Sequence, residues 1–509
     1  MLYLASFFIP AIFGVLVGVL RLTDRQRRLL SCAAIFATDL FGGLAAALGG
    51  ESTLLVFAPG VSISFRADGV GRFFLILVLL LYTAVLFYAF EYMQMEEREG
   101  MFFAFFLISL GAMLSVTMAG NLVTLYLCFE FATLTSMPLV LHEMTREAIA
   151  AARKYLFYSI GGALLGLLGV FYVYFCAGEN TMFASGGILD PVKAAENREV
   201  LLALVFVAIV GFGTKAGLYP MHGWLPTAHP IAPAPASSLL SGIIAKAGIL
   251  AVIRLVYFSV GPEYLRGTWV QLVWSILAML TIFMGSMMAF CEKVTKKRLA
   301  YSTISQLSYI MLGLSLLTEG GLIGGLLHAA AHVAAKGCLF LCAGAFIYKL
   351  GKRRVDELRG IGRVMPITLW CFLISALSLV GIPPFAGFVS KWHLALAGLS
   401  SANAVLAVLM PCILLLSALL TAGYLLPVVI DGFFPERAGH GHAAGKAAAA
   451  ENAETDGEEN YADMPESSKE PTWRMVVPML VLSAASLLFG IFGGQIAAFL
   501  SQVLVGVCA

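Results

Sequence analysis

From residue 2 to residue 504 the chain is a succession of apolar stretches, and nothing else in it constrains the fold as strongly. They run over 2–20, 29–49, 73–90, 101–118, 122–141, 154–177, 200–226, 235–258, 269–290, 300–317, 320–348, 366–400, 403–430 and 475–504. At about 1.5 Å per helical residue, each is long enough to cross a hydrocarbon core of about 30 Å. With 60% hydrophobic and only 12% charged residues, the chain cannot cover a water-facing surface; a soluble domain carries about a quarter charged. The expectation is an all-α polytopic membrane protein with about 14 transmembrane helices. The first stretch lacks a basic start and a small-residue cleavage site, so it is expected to stay as a span rather than leave as a signal peptide.

The formal net charge of +2 implies no nucleic acid partner, but the placement of the charges is informative. The loops "RLTDRQRR" (21–28), "CEKVTKKR" (291–298) and "KLGKRRVDELRGIGR" (349–363) carry most of the basic side chains, and counting spans puts all three on one side. The positive-inside rule makes that side the cytoplasm and both termini external; the membrane is expected to be a prokaryotic plasma membrane. "EYMQMEEREG" (91–100) falls on the same side although acidic, and acidic residues weigh little in that rule. Segment 50–72 is too mixed to span, and its alternation predicts a short extracellular hairpin. Residues 436–471 are rich in Ala, Glu and Gly with almost no large apolar side chains; a disordered cytoplasmic loop is expected, with His440 and His442 solvated in it. Nine Cys include no CxxC pair, and Cys338 and Cys342, one helical turn apart, read as small packing residues.

Two spans are interrupted. "GLYPMHGWLP" (217–226) breaks the first at Pro220 and Pro226, and "GIPPFAGF" (381–388) breaks the second at Pro383 and Pro384. Each interruption has a lysine beside it, Lys215 and Lys391. Gly/Pro-interrupted helices in corresponding places of two halves mark an inverted-repeat transporter, with its ion sites at the breaks. Five ionisable residues stand well inside apolar stretches: Glu130, Lys215, Lys246, Lys336 and Lys391. A charge at such depth costs roughly 2.5–3.5 kcal/mol, which pairing, internal water or a neutral lysine must offset, and each of these suits a proton path. Glu130 and Lys215 have opposite sign and are expected to pair and separate, which would change the proton affinity of Lys246. His328, His332 and Lys336 follow at i, i+4 and i+8 on one helix face. "HAAAH" lacks the glutamate of a zinc-peptidase helix, so a proton relay is expected there and no metal. His222 and His229 flank the first break near the cytoplasmic mouth and are candidates for proton uptake, and Asp39 reads as a structural pairing residue.

"LYLCFEFATLTSMPLVL", "KAGLYPMHGWLPTAHPIAPAPASSLLSGIIAKAGIL", "KKRLAYSTISQLSYIMLG", "LLHAAAHVAAKGCLFLCAGA" and "LVGIPPFAGFVSKWHLAL" occur in this order. Together they resemble the antiporter-like membrane subunits shared by respiratory complex I, membrane-bound hydrogenases and the Mrp cation/proton antiporters, over roughly residues 65–430. The resemblance implies fourteen helices around two inverted five-helix repeats, and no bound cofactor. It places the family's glutamate of the fifth helix at Glu130 and its lysines of the seventh and eighth at Lys215 and Lys246. The histidines and lysine of the eleventh helix fall at His328, His332 and Lys336, and the ionisable residue of the broken twelfth at Lys391. The corresponding division is N-terminal helices 1–100, repeats 101–258 and 259–434, a loop 435–473 and a last helix 474–509. No long lateral helix follows the last span, and the acidic loop 436–471 is extra. "SALLTAGYLLPVVIDGFF" (417–434) looks closer to hydrogenase-type and Mrp relatives than to complex I.

The leading expectation is a proton-translocating, or cation/proton-translocating, subunit of a redox-driven complex, working with other membrane subunits. The alternative is a subunit of an Mrp-type cation/proton antiporter without redox chemistry. A non-transporting scaffold has no use for the charge series. The sequence holds no nucleotide loop, iron–sulfur set or haem motif, so redox chemistry is expected to lie in a partner, and lysines favour protons over sodium as the ion moved.

Overall fold

The computed structural model describes residues 2–58, 60–178, 180–435 and 470–507. His440, His442 and nearly all of the expected loop 436–471 lie outside the described residues. The chain is mostly helical, at 79%. Its main helices are α1 (Leu2–Val19), α2 (Asp24–Leu48), α3 (Gly69–Tyr92), α4 (Glu99–Thr117), α5 (Leu122–Val140), α6 (Arg146–Cys176), α7 (Arg198–Ala216) and α8 (Leu225–Ile231). They continue as α9 (Ala234–Val260), α10 (Trp269–Cys291), α11 (Thr295–Ser315), α12 (Glu319–Leu350), α13 (Pro366–Val380), α14 (Ala386–Leu399), α15 (Ala404–Phe433), α16 (Trp473–Ile491) and α17 (Gly493–Val503). Eleven helices among the described residues are long and apolar enough to cross a membrane.

Several helices begin earlier than the apolar pattern, because their first turns are polar and capped. Thr23 and Gln26 form a reciprocal capping box at the start of α2, and the Thr145 hydroxyl accepts the Ala148 N–H at the start of α6. Two strands, β1 (Glu51–Ala58) and β2 (Val61–Arg66), pair antiparallel as the expected hairpin. It is tied down: the Ser64 N–H donates to Thr124 Oγ1 (2.9 Å), and Arg66 donates to the Phe183 carbonyl (3.0 Å).

The loops sort onto two ends of the molecule. At the hairpin end, the Ala184 N–H donates to the Phe258 carbonyl, Arg266 donates to the Leu317 carbonyl (2.7 Å), and Ser501 donates to Glu319 (2.5 Å). Tyr3 lies against Gly50 and Val503 against Gly69, so both ends of the described chain are there too. At the opposite, basic end, Arg27 pairs with Glu99 (3.1 Å), the Thr295 N–H donates to the Arg353 carbonyl (3.0 Å), and Thr472 donates to Glu91. The three lysine- and arginine-rich loops thus share one end, as expected.

Enclosure is uneven, and that positions the site. The spans of α9 and α12 are 100% and 94% buried, whereas those of α2 and α15 are 33% and 28% buried. The two helices sealed from lipid are those that carry Lys246 and His328, His332 and Lys336. Both expected breaks exist. α7 ends at Gly217 (φ +78°) and α13 at Gly381 (φ +94°), left-handed positions that glycine takes without strain. Pro220, Pro383 and Pro384 stand in the turns. Pro226 does not break a helix: it sits in the first turn of α8, where its missing N–H costs nothing.

Candidate functional site

Lys215 occupies the last turn of α7 and is buried. Its ammonium donates to Thr133 Oγ1 (2.6 Å) and to the Phe129 carbonyl (3.4 Å), and stands 4.3 Å from the Phe129 ring centroid. The expected ion pair with Glu130 is not made in this state. Phe129 and Thr133 are i and i+4 on the face of α5 that meets α7, while Glu130 is rotated about 100° from Phe129 toward the rim. The half-buried Glu130 instead accepts a long bond from Tyr126 (3.5 Å).

Lys246 lies two residues after a π-helical segment of α9, Leu240–Ile244. The widened turn presents carbonyls inward, and the ammonium donates to Gly242 O and sits 3.5 Å from Ser241 O. Its third neighbour is His332 Nδ1 at 2.8 Å, a direct link between α9 and α12. His332 Nε2 has no partner among the described residues. One turn toward the hairpin end, His328 bonds Ser390 Oγ (2.9 Å) and Gln306 Oε1 (3.1 Å) and stacks on Tyr309 at 5.1 Å. Lys391 stands 5.0 Å from the centroid of that same Tyr309 ring, and donates back across the break to the Leu379 (2.6 Å) and Val380 (3.0 Å) carbonyls. Those are the last carbonyls of α13, where a helix end attracts a cation. Lys336 points the other way along α12, toward the basic end, and donates to the Leu299 carbonyl (3.0 Å).

The structure therefore brings Lys246, His332, His328 and Lys391 into one line and leaves Lys336 on the opposite side of His332. His222 is half-buried at the first break and stacks on Tyr219 at 5.7 Å. His229 is not at a mouth: it is wholly buried and stacked on Phe340 at 4.8 Å, and neither ring nitrogen has a partner among the described residues. Two charged groups emerge that the sequence reading passes over. Lys296 is buried and donates to the Ala232 (2.6 Å) and Pro230 (3.3 Å) carbonyls, holding the end of α8 as Lys391 holds the end of α13. Arg254, on α9, grips Asp68 with two bonds of 2.6 and 2.7 Å. Among the described residues, no three of His, Cys, Asp and Glu come together as a metal-binding group.

Comparison with known proteins bears on this arrangement. Residues 119–419, which contain every residue of the line, match the family described as NADH:quinone oxidoreductase/Mrp antiporter, TM. The chain is 34% identical over 444 residues to the NADH-quinone oxidoreductase subunit N of Desulforudis audaxviator, covering 86% of this chain and 84% of that one. It is 30% identical over 373 residues to a Na(+)/H(+) antiporter subunit of Alkalihalophilus pseudofirmus, covering 73% of each. A chain of the Mrp complex from Dietzia sp. DQ12-45-1b has the same fold, with a TM-score of 0.81 at 23% identity over 100% of this chain and 98% of that one.

Proposed function

The chain belongs to the NADH:quinone oxidoreductase/Mrp antiporter membrane family, and from that premise we propose that it is the proton-translocating membrane subunit of a multi-subunit redox-driven complex. The observation that carries this reading is the Lys246–His332 contact of 2.8 Å, made between the two helices most completely sealed from lipid. An amine against an imidazole shares one proton between two bases, and neutral imidazole can accept on one nitrogen and donate from the other. His328 and Lys391 extend that line, with Gln306, Ser390 and Tyr309 as neutral supports, and internal water joins groups that do not touch. Glu130 and Lys215 form the first-half site: when Lys215 leaves Thr133 for Glu130, the electrostatic field that reaches Lys246 changes.

The proposed topology has fourteen spans, counting α1, α11 and the α13–α14 pair with the eleven apolar helices among the described residues. In the proposed division, 1–100 holds the N-terminal helices, 101–258 and 259–434 are inverted five-span repeats with the broken helix fourth in each, 435–473 is a loop, and 474–509 closes the bundle. The basic end faces the cytoplasm of a prokaryotic cell, so both termini face outward. The higher identity and wider coverage of the Desulforudis audaxviator relative favour a redox-driven complex over the Mrp-type reading, which the Alkalihalophilus pseudofirmus relative supports over less of the chain.

The test is Lys246→Ala in the intact complex reconstituted in vesicles. Electron transfer is expected to continue while pH-gradient formation falls at least about tenfold. Pumping at the parental rate would refute the central role of Lys246. Sodium-driven acidification without any electron donor would assign the chain to the antiporter reading.

A further inference from the structure

Asp39 is a membrane carboxylate that the proposed route does not use. It lies on α2 nine positions before Leu48, about 13 Å below the hairpin end of that helix. Its Oδ2 accepts a hydrogen bond from Thr83 of α3 (2.9 Å), while its Oδ1, out of reach of solvent in this chain, has no partner among the described residues. The structural pair expected for Asp39 is therefore half made.

Asp39 lines a groove of about 690 Å³ between α2, α3 and α16 whose walls are mostly apolar, with Leu79, Phe87, Val477 and Val481 among them, and which Arg474, in the first turn of α16 at the basic end, also lines. A chain neighbour does not fill the groove: Gly43, one turn on from Asp39, has open space where a Cβ would stand. A carboxylate at this depth is costly unless a donor meets it, and ionisable groups inside membranes pair with one another. A lipid tail would fill the volume but brings no donor, since the headgroup stays at the bilayer edge. An apolar helix bearing one cation supplies both the packing and the charge.

We propose that this groove is the docking site for a transmembrane helix of a partner subunit, an apolar helix that carries one lysine or arginine at the depth of Asp39. The inference rests on the reading of the chain as a subunit of a membrane complex, but on none of the translocation residues.

The experiment places a photo-crosslinking phenylalanine derivative at Val477 in the intact complex in native membranes. One cross-link to a second polypeptide of the complex is expected, mapping by mass spectrometry to an apolar helix with a basic residue. Asp39→Lys should reduce that cross-link at least tenfold, and changing the mapped basic residue to Asp in the same background should restore it. Gly43→Trp, which fills the groove without touching charge, should also remove it, with the thermal unfolding temperature of the purified chain unchanged. Lys246→Ala should leave it at parental yield, so failure of the translocation role and failure of docking are told apart. Cross-links only to lipid, to a second copy of this chain, or to a helix without a basic residue would overturn the proposal.

Discussion

Arg254 is wholly buried, and its charge is met by Asp68: Nη1 and Nη2 both donate to that carboxylate, and the rings of Phe183 and Phe258 lie 5.0 and 4.9 Å away. Removing one partner of such a pair leaves an unpaired buried charge and costs about 3–5 kcal/mol, whereas replacing both by neutral groups of similar volume is often tolerated. Asp68→Ala is therefore expected to destabilise the purified chain by about that amount in detergent unfolding, and the double change Asp68→Asn with Arg254→Met to recover most of it. Equal instability of the two would show that the loss does not come from leaving Arg254 unpaired, since asparagine keeps the cap that Asp68 gives the Gly71 N–H (2.8 Å). The sequence rule that singles out Lys215, an ionisable side chain in an apolar run, applies equally to Arg254 in "GILAVIRLVYF" (248–258). Thr133, Gln306 and Ser390 are a different case. Neutral polar side chains leave no mark in a hydropathy pattern, so the groups that hold Lys215 and His328 become visible only once helices are packed.

At the scale of elements, the positions of the helices were legible and their internal faces were not. α11 is not apolar enough to count among the eleven, because Ser302, Thr303, Ser305, Gln306 and Ser308 are all buried along it. A helix with a polar face is intelligible in a membrane when that face meets other protein, here the tyrosine Tyr424 and serine Ser417 of α15. The breaks were legible because glycine and proline act locally. What holds the broken ends was not: Lys296 falls in a stretch that reads as an ordinary basic loop, yet its ammonium is on the Pro230 and Ala232 carbonyls at the end of α8. Its neighbour Lys297 reaches Glu292 at 2.8 Å with its side chain 39% exposed. Lys296→Met is expected to destabilise the chain by about 1–3 kcal/mol through the freed carbonyls, and Lys297→Met by less than about 1 kcal/mol. Unfolding of the two variants in the same detergent decides it, and equal losses would remove the holding role of Lys296.

Across the whole molecule, the direction we propose for transport is argued from which end each group faces. A route read along the sequence from Lys246 through His328, His332 and Lys336 to Lys391 would double back, because α12 runs from the hairpin end at Glu319 to the basic end at Leu350. Lys336 therefore lies about 6 Å nearer the basic end than His332, and His328 about 6 Å nearer the hairpin end. In the proposed route protons come in from the basic, cytoplasmic end, with Lys336 as a side station, gather at Lys246 and His332, and leave past His328 and Lys391 toward the hairpin end. Lys391 also holds the last carbonyls of α13, so it can discharge only where the second break lets it let go of them. In oriented vesicles holding the intact complex, Lys336→Ala is expected to slow uptake at the basic end while leaving release in step with it. Lys391→Ala is expected to let the first uptake occur and then stop turnover, since a proton held in the line has no outlet; the loss should reach orders of magnitude in steady-state rate. The decisive measurement is proton uptake and release recorded separately on the two faces. Release at the hairpin end that survives Lys391→Ala, with uptake at the basic end lost, would reverse the route and make Lys391 the intake.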